Sequence, residues 1–393
     1  MRSRIKRYQS RVPIRLLLIL LALAVVACLS IGCIASTPTG RAFTEAERLF
    51  HQDPRWLGGD GALSVRLSYD RILWLFGDTF VATSNAHVRT ESTLVRNTVA
   101  IQTGKDPRTA SVSFRWGQDT DGSPASFFPE HGERFYWPGH GILLDEGPLI
   151  IFLYAIVATP GKGLGFLPVG YAIAVIDNAD QPVHAWKPRV VDATADTFDA
   201  VPATAVIEDN GYVVALAIRQ HGTHAGALVR YPAAALAHGD LTKAEWWAGD
   251  ARGWVPASML GKDGPAIVLD DAGSECSVHW DVRTGSFIHV ASYGFGATEI
   301  GLRTAPALTG PWSSPAFVYR PPESDGPHPF VYAAKAHPEL VGPHPADLVV
   351  TYATNSFESA DLLTEQGERT LYWPRFVAVR VERKKGDRPL VEK

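Results

Sequence analysis

Residues 56–79 read Trp-Leu-Gly-Gly-Asp-Gly-Ala-Leu-Ser-Val-Arg-Leu-Ser-Tyr-Asp-Arg-Ile-Leu-Trp-Leu-Phe-Gly-Asp-Thr. The stretch predicts a β-hairpin: strand Gly61–Leu67, turn Ser68-Tyr69-Asp70-Arg71, strand Ile72–Gly77. Paired positions of an antiparallel hairpin keep a constant sum. Centring the turn between Tyr69 and Asp70 brings Asp60 and Asp78 almost opposite each other, at the open end. Residues so opposed have Cβ atoms about 4.5–5.5 Å apart. Gly58, Gly59, Gly61 and Gly77 around them leave the backbone open to close approach.

The second strand of this hairpin belongs to a series. Strongly apolar strands that follow a Gly, Asp or Asn turn recur at Ile72–Phe76, Leu149–Ala155, Tyr212–Ile218, Phe287–Tyr293 and Asp347–Ala353. Their spacing leaves room for four strands per step. A β-propeller protects its sheet edges by such radial repetition. A pair of β-sandwiches would also space its strands regularly. However, no polar linker divides the chain, and the Trp56–Gly61 motif is echoed by Trp137-Pro138-Gly139-His140-Gly141. The fold class expected is all-β, a five-bladed β-propeller, with blades near 55–125, 126–195, 196–260, 261–325 and 326–382. Ala42–Phe50 reads as a short helix or as the closure of the ring, and Ala233–His238 as one helical turn.

Composition agrees. The 393 residues are 46% hydrophobic, with 11 Trp, 12 Tyr, 17 Phe, 35 Gly and 28 Pro, which excludes disorder and suits a turn-rich β protein. Three Cys, at 28, 33 and 276, exclude a disulfide framework and a Cys-rich zinc site. Cys276, in an apolar strand, reads as a core residue. Arg2, Arg4, Lys6, Arg7, Arg11 and Arg15 precede an apolar run, Leu16–Ala27, with no acid among the first 27 residues. That order is an export signal. Val25-Val26-Ala27-Cys28 resembles a lipobox with Cys28 as the lipidated residue; Cys33 is a weaker candidate, and Leu16–Ala35 is also long enough to be an uncleaved anchor. The expected organisation is therefore a signal, anchor and tether over 1–40 and one propeller domain over 41–393, exported and membrane-anchored. Without the leader, 31 basic residues face 41 acidic ones, which excludes nucleic acid as a main partner.

Two carboxylates held close repel, so one pKa rises and the other stays low. A glycosidase uses that asymmetry: one carboxylic acid protonates the leaving oxygen, and one carboxylate activates water or attacks. The first strand of each blade lines the channel, so further candidates come from equivalent positions: His140, Glu275, Tyr332 and His337, with Asn355 after a second strand. Arg96 and Asn97, opening the third strand of blade 1, and Trp137 complete a rim suited to a sugar, because carboxylates and amides bond hydroxyls and aromatic faces stack on C–H surfaces. Arg96 reads equally well as an ion-pair partner of Asp60 or Asp78. His221 and His224 lie in a Gly-containing loop and read as a surface turn rather than a metal site. Gly161–Gly165 lacks the context of a phosphate loop, and no Gly-x-Ser-x-Gly elbow supports a serine esterase. No cofactor or metal is expected.

WLGGDGALSVRL, ILWLFGDTFV and RNTVAIQ resemble the opening blade of bacterial five-bladed propellers first classed as a domain of unknown function, whose members include endo-D-arabinanases. YWPGHGILLDEGPLIIFLYAI, LRTAPALTGPWSSPAFVY, YAAKAHPEL and LYWPRFVAVRV are similar to later segments of that group, so the resemblance spans about residues 45–382. It implies Asp60 and Asp78 as catalytic carboxylates and an inverting mechanism; Asp60 is expected as base and Asp78 as acid, or the two exchanged. His140 stands where related sequences carry Asp. The expected activity is hydrolysis of a furanoside glycan such as arabinan. The rival reading is a non-catalytic, glycan-binding surface propeller.

Overall fold

The computed structural model describes residues 38–145, 147–193 and 198–382. Cys28, Cys33 and the apolar leader lie outside the described residues. Among the described residues no helix is long and apolar enough to cross a membrane.

Five antiparallel sheets of four or more strands follow one another along the chain. The first holds Leu63–Arg66, Arg71–Phe76, Thr98–Thr103 and Ser111–Arg115. The second holds Arg134–Leu143, Leu149–Ala158, Phe166–Ile176 and Arg189–Asp192. The third begins with Ala200–Asp209, Tyr212–Arg219 and Gly226–Pro232 and adds Glu245–Trp247, Trp254–Pro256 and Ile267–Leu269. The fourth is Cys276–Asp281, Ser286–Phe295, Ala297–Ala305 and Ala316–Tyr319. The fifth is Pro329–His337, Asp347–Ser356 and Arg375–Arg380, completed by Thr39–Ala42 from the start of the domain.

Each apolar core lies between two consecutive sheets, which is what makes the assembly a propeller. Leu73 and Leu75 of the first sheet meet Ile151 and Leu153 of the second. Ile150 and Phe152 face the other way, onto Val206 and Ala215 of the third. Leu216 and Ile218 meet Cys276 and Val278 of the fourth. Ile288 and Val290 meet Val350 and Val377 of the fifth. The last core joins Val349, Phe376 and Ala378 to Trp74 and Phe76 and so closes the ring. A middle strand buried on both faces is apolar at most positions, which explains the apolar runs in the sequence. The ring is zipped by Thr39–Ala42 pairing antiparallel with Arg375–Arg380, and the 3-10 helix Thr44–His51 buries Ala46, Leu49 and Phe50 in the closing core.

Two expectations shift. Thr39 and Gly40 belong to the closing strand rather than to a tether. The third sheet runs to Leu269 instead of ending near 260, because Ile267–Leu269 returns beyond the hairpin Glu245–Pro256 to pair with Gly226 and Ala227. The helical turn Ala233–Ala237 lies where it was expected.

Near the axis the inner strands touch. A Cβ on Gly139 would collide with the Ala203 carbonyl of the third sheet, and one on Gly141 would lie 2.7 Å from the Ile150 carbonyl. This crowding accounts for the glycines of the Trp-Pro-Gly-His-Gly motif. Gly139→Ala is expected to push the second and third sheets apart and cost about 1–3 kcal/mol. The midpoint of chemical denaturation checks this, and an unchanged midpoint would refute the crowding argument.

Candidate active site

In the first hairpin Leu63 pairs with Leu75 and Arg66 with Ile72, half a residue from the register expected. Asp60 then sits opposite Gly77 and Asp78 together. Its N–H donates to the Asp78 carbonyl at 3.2 Å, and its carbonyl accepts from the Gly77 N–H at 3.0 Å. Two residues facing one is a β-bulge, a device that re-aims side chains. Gly61 and Ala62 follow in left-handed conformation, at φ +81° and +51°, and turn the chain into the inner strand.

The bulge marks a change of sheet. Below it the strands belong to the first blade; above it Trp56–Gly59, Thr79–Ala82 and Ser92–Val95 form a separate three-stranded sheet. Asp60, Asp78 and Arg96 all lie at that transition, one on each strand. Gly77 is required there, because a Cβ at that position would collide with Asp60 Oδ1.

The two acids have unlike partners. Asp60 Oδ2 accepts from the Tyr332 hydroxyl at 2.6 Å and from the Tyr372 hydroxyl at 3.5 Å. Burial, the Asp78 charge and the Glu275 charge push its pKa up to about 8, against the opposing pull of Tyr332 and Lys335. Asp78 Oδ1 accepts from Trp137 Nε1 at 2.8 Å, and Oδ2 from Arg96 Nη1 at 3.4 Å. Burial raises its pKa too, but the Trp137 bond and the Arg96 charge hold it down. Both carboxyls are thus raised, Asp60 by burial and by acidic neighbours, Asp78 by burial against the pull of an indole and a guanidinium. The partners come from opposite sides: Trp137 from the second sheet, Tyr332 from the fifth.

Among the residues expected at the rim, Trp137, Arg96 and Tyr332 touch the acid pair directly. The Arg96 guanidinium also lies 4.3 Å over the Phe135 ring, so it is committed to holding Asp78. Glu275 keeps 30% of its side chain exposed and accepts from Lys335 Nζ at 2.9 Å. Three expected binders are placed as structural ties instead. Asn97 is fully buried; its amide donates to the Phe128 and Tyr136 carbonyls and accepts from the Phe128 N–H, which spends its hydrogen-bonding groups on the first and second blades. His337 is buried between Ser64 Oγ at 2.5 Å and Thr351 Oγ1 at 2.7 Å. His140 accepts the Val206 N–H at Nδ1 and lies 3.2 Å from the Ser64 carbonyl at Nε2. Burial lowers its pKa to about 4, so it is a neutral tie of three blades. Asn355 stands across the ladder from Phe330 and does not reach the acids.

Tyr372 was not anticipated. It has φ +64°, a conformation that costs a non-glycine residue about 1–3 kcal/mol. Arg89 supports that segment from below. Its buried guanidinium donates to the carbonyls of Leu57, Leu362, Gly367 and Leu371, and burial lowers its pKa to about 10. A signal was present: Tyr-Trp-Pro occurs at 136–138 and again at 372–374. The first copy supplies the indole that holds Asp78 and the second the phenol that faces Asp60.

In three dimensions the chain is similar to the crystal structure of a Bacteroides ovatus ATCC 8483 protein provisionally described as a hydrolase, with TM-score 0.67 and 16% identity over 87% of this chain and 90% of that one. More distant likenesses include the catalytic domain of a GH62 α-L-arabinofuranosidase from Coprinopsis cinerea, with TM-score 0.46 and 11% identity over 84% and 93% of the two chains. A xylan β-1,4-xylosidase from Bacillus halodurans C-125 gives TM-score 0.45 and 11% identity over 84% of this chain and 53% of that one. No curated protein sequence matches the chain. The family described as domain of unknown function (DUF5005) matches residues 44–382, nearly the whole domain that carries the acid pair, and the chain belongs to that family.

Proposed function

We propose that the protein is a glycoside hydrolase in which Asp60 and Asp78 are the working carboxylates. One observation carries the reading: two opposed, half-buried carboxyls meet at one bulge with unlike partners, phenols at Asp60 and an indole with a guanidinium at Asp78. A proton donor for the leaving oxygen and a charged carboxylate for water are the two groups glycoside hydrolysis needs. Asp60, crowded by Asp78 and Glu275, is the proton donor. Asp78, held by Trp137 and Arg96, is the carboxylate that activates water. This assignment is the reverse of the order first expected from the sequence, in which either order was open. An inverting course is proposed from the family resemblance alone. A furanoside glycan such as arabinan is the proposed substrate, a choice that rests on the Gly-Gly-Asp-Gly and Phe-Gly-Asp-Thr resemblance. Attachment to the outer face of a membrane through Cys28 or the apolar leader is proposed on sequence grounds alone.

Asp60→Asn and Asp78→Asn are each expected to lower kcat by about 10²–10⁴-fold while glycan binding persists; unaltered turnover would refute the reading and leave a binding propeller. The profile of kcat/KM should fall as pH rises through about 8, where Asp60 loses its proton, and fall on the acid side as Asp78 gains one. Asp60→Asn should abolish the alkaline limb, and a limb that survives would assign the proton elsewhere. NMR of the first-formed anomer reads the stereochemistry.

A stability test is independent of substrate. Folding raises the Asp60 pKa, so this group's contribution is complete below the ordinary carboxylate pKa and is lost as pH rises through about 8. Asp60→Asn is neutral at every pH and should raise Tm relative to the parent above pH 8, with a smaller gain at pH 5. A gain that does not grow with pH would contradict the burial of a protonated acid.

A further inference from the structure

Beyond the acid pair an aromatic surface leads outward from Tyr332. Phe330, two residues along the same inner strand, stacks on the Tyr332 ring at 4.6 Å. Phe357 stacks on Phe330 with centroids 4.6 Å apart and planes 11° apart. Phe295 lies 5.4 Å from Phe357 and 6.3 Å from Phe330. Phe330 is half-buried, whereas Phe357 is 49% and Phe295 72% exposed. The chain of rings thus begins at the tyrosine whose hydroxyl donates to Asp60 and ends in solvent.

The backbone is built to display these rings. Phe295 occupies a hairpin tip between Gly294 and Gly296, both at positive φ. A side chain on Gly296 would lie 2.9 Å from the Phe357 ring and 2.9 Å from the Pro329 carbonyl. The Val331 N–H donates to the Gly296 carbonyl at 2.8 Å and locks the hairpin onto the inner strand, and the Phe357 N–H donates to the His328 carbonyl at 3.2 Å. Three separate segments therefore converge on one platform. Asn355, the cross-strand partner of Phe330, lies on the same face and brings an amide to its edge.

We propose that Phe295, Phe330 and Phe357 form a glycan subsite, with Asn355 at its edge, that holds sugar units of a polysaccharide remote from the bond that is cut. The proposal rests on the glycoside hydrolase reading. Its occupant is a neutral polysaccharide. Sugar C–H faces stack on aromatic faces, the rings bring no charge of their own, and the platform is continuous with the carboxylates through Tyr332. A subsite at that distance has no role with a short substrate, so it makes the enzyme selective for long chains.

The test is the Phe295→Ala/Phe357→Ala double variant, whose truncated side chains are exposed at Phe295 and half-exposed at Phe357, and whose Tm is measured as a folding control. Expected is at least a tenfold rise in KM for a polysaccharide and at least a tenfold fall in the ratio of kcat/KM on polymer to kcat/KM on an aryl glycoside. Affinity electrophoresis in gels containing arabinan, arabinogalactan or xylan, with Asp78→Asn as the parent, should show retardation that the two Phe substitutions remove. Equal losses on both substrates, or retardation that survives, would overturn the subsite while leaving the catalytic reading in place. If the wild type cleaves no glycan, retardation that depends on the two phenylalanines upholds the subsite although the catalytic reading falls. Absence of both cleavage and retardation overturns both. Sedimentation gives a further outcome: a dimer that the double variant dissociates would make the platform a contact between copies and overturn the proposal.

Discussion

Convergence on an axis is the constraint behind everything else in this molecule. Inner strands from five sheets meet where there is no room for a further layer of side chains, so neighbouring backbones approach until Gly139 touches the Ala203 carbonyl. Backbone and side-chain polar groups pressed together there must bond to each other, since a buried unpaired polar group costs about 1–3 kcal/mol. Ser64 shows the solution. Its carbonyl faces His140 and its hydroxyl faces His337, which ties the first sheet to the second and the fifth. Ser277 Oγ accepts the Ala336 N–H and ties the fourth to the fifth. Burial keeps His140 and His337 neutral, the form in which one ring nitrogen accepts while the other donates. Histidines on a channel wall suggest chemistry, but in this channel they are fasteners.

The acid pair lies at the level where this stitching ends. At the bulge three strands leave the first blade for a separate small sheet, and the carboxylates emerge at the break. Protein groups cluster on them unequally, two phenols toward Asp60 and an indole with a guanidinium toward Asp78. Such a site is held against its own electrostatics. Asp60 is destabilised as an anion, Tyr372 sits in a strained backbone region, and Arg89 is sunk beneath it with four carbonyl partners. These costs are tolerated because the five apolar cores around the ring supply a large margin from area burial alone.

The hairpin and the five apolar strands were legible in the sequence because their cause is local or periodic. A strand buried on both faces is apolar at most positions, and a turn centred on Tyr69 and Asp70 has to bring residues 60 and 78 together. Position along the strands selected Tyr332 and Arg96, which do reach the acids. It failed for Asn97 and His337, whose positions along the chain match the rim but whose side chains point into contacts between blades. Position along a strand gives height in the channel. It does not say whether a neighbouring blade has already taken the side chain's hydrogen bonds.

Sequence by itself determined the all-β class, the repeat, the approximate blade limits and the meeting of the two acids at one hairpin end, since all of these follow from alternation, spacing and turn chemistry. Tertiary structure decided the unlike surroundings of the two acids, because those depend on Glu275, Lys335 and Tyr332, more than 190 residues away in the chain. It also decided that two of the channel's histidines are ties, that Tyr372 belongs to the site, and that Thr39–Ala42 closes the ring. Each of these is set by contacts between blades. Electrostatic and hydrogen-bond partners act through space, and no local pattern in the chain records them.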